Sequence, residues 1–117
     1  MSEIKYHFRL LSLHCYRQDE GDGDEVFLKF KKNKVWPTDS KFVKVKEGEY
    51  KIAHQIEGID KDTTIDIELW DYDFLTPNDK LGTFTMLVNE RGGPFKTDLK
   101  RAKGAEDAKY SLEWEVS

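Results

Sequence analysis

Short runs of strictly alternating apolar and polar residues constrain this chain more than any other feature. Tyr110, Leu112, Trp114 and Val116 alternate with Ser111, Glu113 and Glu115. A period of two puts one set on a dry face and the other in water, as in a half-buried β-strand. Ile65, Ile67 and Leu69 alternate with Asp66 and Glu68, and Tyr50, Ile52, His54 and Ile56 alternate with Lys51, Ala53 and Gln55. Phe84, Met86 and Val88 form another inward set, as do Val26, Leu28 and Phe30, and Val43 with Val45. The stretch 4–16 is apolar with imperfect alternation, the pattern of a strand that carries a bulge or is buried on both faces. A weaker strand signal lies at 95–99. Residues 57–64, with Gly58 and turn-prone acids, read as the turn of a hairpin joining 50–56 to 65–69.

Seven or eight such strands recur at roughly ten-residue spacing, which favours an antiparallel sandwich or barrel over βαβ units. Residues 99–109, rich in Lys, Ala, Glu and Asp, read as either a short helix or a loop. No repeat, low-complexity tract or linker interrupts the 117 residues, so the expectation is one all-β domain over 1–117. Aromatic residues reach 13%, too many for a disordered chain that is 36% charged.

Several functional classes find little support. No apolar run is long enough to cross a bilayer, and residues 1–9 lack the basic-then-apolar layout of a secretory signal. The expected location is therefore cytoplasmic, peripheral to a membrane where one is engaged. Cys15 is the single cysteine, so neither an internal disulfide nor a cysteine zinc cluster can form. Cys15 and its neighbour His14 would point to opposite strand faces, which denies them a nucleophile–base pairing. His7 and His54 also fall in predicted strands. The reading is a non-enzyme. A net charge of −4, with no helix-turn-helix or RNP pattern, gives no expectation of nucleic-acid binding.

Two acidic segments stand out. In Trp70-Asp71-Tyr72-Asp73-Phe74-Leu75-Thr76-Pro77-Asn78-Asp79-Lys80-Leu81-Gly82, Asp71 and Asp73 are two apart and Asp79 lies six further on. In extended chain the first two carboxylates point the same way, and a returning loop can bring Asp79 to them. The second segment holds Asp19, Glu20, Asp22, Asp24 and Glu25, with Gly21 and Gly23 to turn the backbone. Calcium takes six to eight oxygens at about 2.3–2.6 Å, so the two loops together could supply a site that neither completes. An EF-hand is excluded: its sixth and twelfth positions, counted from Asp71, are Thr76 and Gly82 rather than Gly and Glu. The bland alternative is a pair of solvated acidic turns.

The spacing of Asp71, Asp73, Asp79 and Gly82 resembles the strand-Asp-x-Asp-x5-Asp-x-x-Gly pattern of C2 domains, eight-stranded sandwiches whose end loops bind calcium and membranes. Asp19, and six residues later Glu25 ahead of Val26-Phe27-Leu28-Lys29, resemble that family's first loop. Two departures are plain: Glu25 stands where Asp is usual unless Asp24 takes its place, and Val26-Phe27 replaces Pro-Tyr. A first strand feeding directly into this loop, with a strand closing the chain, is similar to the family's type II order. The resemblance implies Ca²⁺ bound by Asp19, Asp24, Glu25, Asp71, Asp73 and Asp79. It also implies an anionic phospholipid surface or a protein as partner. Phe74 and Leu75, at the loop tip, would insert into a bilayer or pack under their own loop. Lys29, Lys31, Lys44 and Lys46 would form a basic face for acidic partners, or would serve solubility and blunt edge pairing. The competing reading is a calcium-independent adaptor of the same fold.

Overall fold

A computed structural model describes residues 4–117; the first three residues of the N-terminal stretch considered above lie outside the described residues. Ten strand segments form two antiparallel sheets: β1 (Lys5–Arg17), β2 (Asp24–Phe30), β3 (Asn33–Trp36), β4 (Val43–Val45), β5 (Gly48–Asp60), β6 (Thr63–Asp71), β7 (Asp79–Val88), β8 (Gly92–Asp98), β9 (Lys100–Arg101) and β10 (Lys109–Val116). One sheet runs β5-β1-β10-β8, the other β3-β2-β6-β7-β9, with β4 also on β2. The expected β-sandwich is therefore present. The count exceeds eight because the short segments β3 and β9 join the ladder. Among the described residues no helix forms, and residues 102–108 make a loop.

The alternation read from sequence becomes the core. Phe8, Leu10, Leu13, Val26, Leu28, Ile65, Ile67, Leu69, Phe84, Met86, Val88, Leu112 and Val116 are buried between the sheets. The imperfect pattern of β1 has a physical cause. Its register slips between Leu10 and Ser12 against both β5 and β10. One extra residue there switches which parity faces inward, from Phe8 and Leu10 to Leu13 and Cys15.

The expected hairpin between 50–56 and 65–69 is not formed. β5 pairs with β1, whereas β6 lies in the other sheet between β2 and β7. Gly58 does not turn the chain: it sits at φ +71° where β5 shifts register opposite Tyr6 to Phe8. A glycine takes such a bulge position without a Cβ clash. The crossing between sheets is left to Lys61 and Asp62, the latter donating its N–H to the Val88 carbonyl at 2.8 Å. Each strand then buries its apolar face from its own side of the core.

Candidate functional site

The two acidic loops meet at one end of the sandwich because β2 and β6 are neighbours. Val26 lies opposite Asp71, and the Tyr72 N–H donates to the Glu25 carbonyl at 2.6 Å. β7 then returns Asp79 directly across from Asp71. Asp19 and Asp79 line one open cleft of about 390 Å³ with Leu81 and Ala102. Strand order thus brings the two acidic loops to the same end of the sandwich.

Parity sorts the carboxylates. Val26 and Leu28 face inward, so Asp24 does too, while Glu25 points outward beside Lys44. Asp24 is fully buried. Its carboxylate accepts the Asp19 N–H at 2.8 Å and the Glu20 N–H at 2.9 Å, one on each oxygen. The Tyr110 hydroxyl also donates to it from β10, and burial together with this acidic neighbour drives the Tyr110 phenol far above its usual range. In this arrangement Asp24 braces the first loop. Gly23 completes the turn at φ +104°, where an added Cβ would lie 2.9 Å from the Val45 carbonyl oxygen.

Asp71 continues the inward set of Ile65, Ile67 and Leu69, which places a carboxyl at the end of an apolar face. It is 8% exposed and accepts the Glu25 N–H at 3.0 Å. Burial pushes it up to about 7, and the charges of Glu20, Asp24 and Glu25 add to the rise against the opposing pull of that N–H. Asp19 is raised by burial and then by Asp24, Asp107 and Glu106. Glu20 is raised by partial burial and then by Asp22, Asp24, Asp19 and Glu25. These groups feel one another's charge.

Asp73 differs. The Thr76 side chain holds it below the usual carboxylate range, followed by the N–H groups of Leu75 (2.9 Å) and Thr76 (3.2 Å). Asn78 accepts the Asp73 N–H at 2.8 Å, closing the loop on itself. Asp79 is exposed at the start of β7. Hard carboxylate oxygens at one end suit calcium in kind. Among the described residues, however, no three acidic, His or Cys side chains converge closely enough to hold a metal ion as they stand.

Phe74 and Leu75 project from the tip of the same loop, 85% and 87% exposed. The lysines are divided between two places. Lys44 and Lys46 lie against the first loop, their side chains 3.4 Å from where a Gly23 Cβ would stand. Lys29 sits further along β2, its ammonium 4.8 Å from the Trp70 ring centroid, and Lys31 occupies the β2–β3 turn at φ +50°. Trp70, stacked on Phe27 at 6.4 Å, gives this outer face an aromatic floor that sequence reading did not single out. Its outward parity, continuing Asp66 and Glu68 on the strand whose Ile65, Ile67 and Leu69 face inward, is the signal available in the sequence. Cys15 is buried, and His14 stacks on Tyr16 at 4.2 Å, away from it.

No family model matches the chain, and no curated protein matches it. Solved structures do. It is similar to C2 domain A of a plant extended synaptotagmin 1 at 15% identity, with a TM-score of 0.59 over 96% of this chain and 91% of that one. It is similar to another C2 domain at 11% identity and a TM-score of 0.58, over 97% of each. A structure of C2 domains A and B of extended synaptotagmin 2 shares 15% identity and a TM-score of 0.57; all of this chain covers 41% of that one. The fold is that of a C2 domain.

Proposed function

We propose that this domain is a non-catalytic binding module whose acidic loop end takes Ca²⁺ and then engages an anionic phospholipid surface. Asp71 carries the reading. A carboxyl removed from water and faced by three other carboxylates is costly as an anion, and it is relieved by either a proton or a cation. Asp71 and Asp79, opposite each other, would be the principal ligands, with Asp19 and Glu25 from the first loop and Asp73 at the loop's outer side. Asp24, with both oxygens engaged, would position the first loop. Bound calcium would supply positive charge where carboxylates otherwise repel lipid phosphates. Phe74 and Leu75 would then enter the bilayer interface from the same end. The cytoplasmic face of a membrane is the location this implies.

A protein partner reached without metal is the second reading, and one observation favours it. The outer face of β2 and β6 presents half-buried Trp70 with the Lys29 ammonium over its ring, above a buried Phe27, while no metal cluster is pre-assembled among the described residues. Sedimentation with phosphatidylserine vesicles separates the two. Binding that appears with calcium and disappears in Asp71→Asn supports the first. Vesicle binding indifferent to calcium and chelator contradicts it.

A further inference from the structure

Beside the acidic end lies a cleft of opposite charge. It measures about 380 Å³ and is lined by Arg17 at the end of β1, Asp98 at the end of β8, Arg101 on β9 and Lys109 at the start of β10. Leu99, Ala108 and Tyr110 add apolar surface. Arg17 donates through Nε to the Asp107 carbonyl at 2.6 Å and through Nη2 to the Glu106 carbonyl at 3.5 Å. Arg101 donates through Nη1 to that same Glu106 carbonyl.

Two guanidinium groups therefore share one neutral acceptor, which holds like charges close together. Among the described residues neither has a carboxylate partner within ion-pair distance. The nearby acids of the loop serve elsewhere. Glu106 Oε1 accepts the Gly104 N–H at 3.1 Å, and the charges of Glu106 and Asp107 act on Asp19. Lys109 rests 5.8 Å from the Tyr16 ring. Three cations thus face one carboxylate, Asp98, across an open cleft whose guanidinium groups are already fixed by backbone carbonyls.

We infer that this cleft binds a phosphoryl group through Arg17, Arg101 and Lys109. A phosphate monoester carries roughly −1.5 to −2 charge near pH 7, which matches three cations offset by one carboxylate. Guanidinium forks suit its oxygens, and prior fixing of the side chains lowers the ordering cost of binding. A lipid headgroup and free phosphate both offer this chemistry, and the two arms of the test tell them apart. The site is independent of the cation reading, so its test is run in chelator.

Two probes are used: inorganic phosphate, followed by the NMR signals of the Arg17 and Arg101 side chains, and phosphatidylcholine vesicles doped with phosphatidic acid, followed by sedimentation. Movement of both arginine signals by inorganic phosphate identifies a free-phosphate site. Binding to the doped vesicles without response to inorganic phosphate identifies a headgroup site. In either case Arg17→Gln with Arg101→Gln should weaken binding by about tenfold or more. Lys109→Gln, which disturbs no turn carbonyl, should weaken it by a few fold and serves if the double variant does not fold. No response to either probe, or equal binding by a folded double variant or by Lys109→Gln, overturns the inference.

Discussion

Replacing Asp71 by Asn should stabilise the metal-free domain while removing its response to calcium. Asn keeps an oxygen for the Glu25 N–H but carries no charge against Glu20, Asp24 and Glu25. The carboxyl is raised from 3.8 to about 7 in the fold. A raised carboxyl contributes stability that is complete below its unfolded pKa and is lost as pH climbs through the folded value. Between about pH 4 and pH 7 the wild-type chain should therefore lose stability through this group. A shift of that size corresponds to about 4 kcal/mol at most, and roughly 2 kcal/mol after allowance for solvent at the rim. At pH 8 in chelator, Asp71→Asn should melt higher by roughly 8 °C, and below pH 4 the two should converge. Thermal melts read by circular dichroism across pH 4–8 provide the check. A variant less stable than wild type at pH 8, or an unchanged difference across that range, would refute the reasoning about Asp71.

Other expectations follow from named contacts. Tyr110→Phe removes a hydroxyl from buried Asp24 and should cost about 1–3 kcal/mol, read as a lower denaturant midpoint with an unchanged slope. Gly82→Ala would set a Cβ 2.3 Å from the Lys100 carbonyl oxygen and 2.8 Å from Leu99, so β9 must move. A loss of about 1–3 kcal/mol is expected in chemical denaturation, and a neutral result would mean the β7–β9 contact is looser than described. Phe74→Ser with Leu75→Ser should leave the melting temperature within about 2 °C, because both side chains are exposed, yet weaken calcium-dependent vesicle binding. Undiminished vesicle sedimentation would remove them from the docking surface.

How much was legible depended on distance along the chain. The alternation of β6 and β10 predicted their inward faces, since a two-residue period is local information, but Ser111, expected in water, is buried on the other side of β10. The same parity, carried back from Val26 and Leu28, already separates Asp24 from Glu25, and carried forward from Leu69 it turns Asp71 inward. Which strands neighbour one another was not local. Tyr110 meets Asp24 across 86 residues of chain, so nothing near either residue announces the contact. The β5–β6 connection is not legible at Gly58, because a glycine within a turn-like run serves a bulge as well as a turn. The β2–β3 hairpin carries no turn signal in the sequence, because Lys31 and Lys32, at φ +50° and +71°, fill a turn that glycine or asparagine normally signals. Arg17 and Arg101 come together only when β9 joins β7 and the 102–108 loop lies over the end of β1.

The central claim is that the acidic end takes calcium, and thermal unfolding in chelator, in calcium and in magnesium tests it most directly. Calcium at about one hundred times its dissociation constant should add about 2.7 kcal/mol. For a domain of this size that is a rise of very roughly ten degrees in Tm. The account predicts that rise with calcium, its absence with magnesium, and its loss in Asp71→Asn. Equal melting temperatures in calcium and in chelator would contradict it and leave both acidic loops as structural turns without a cation.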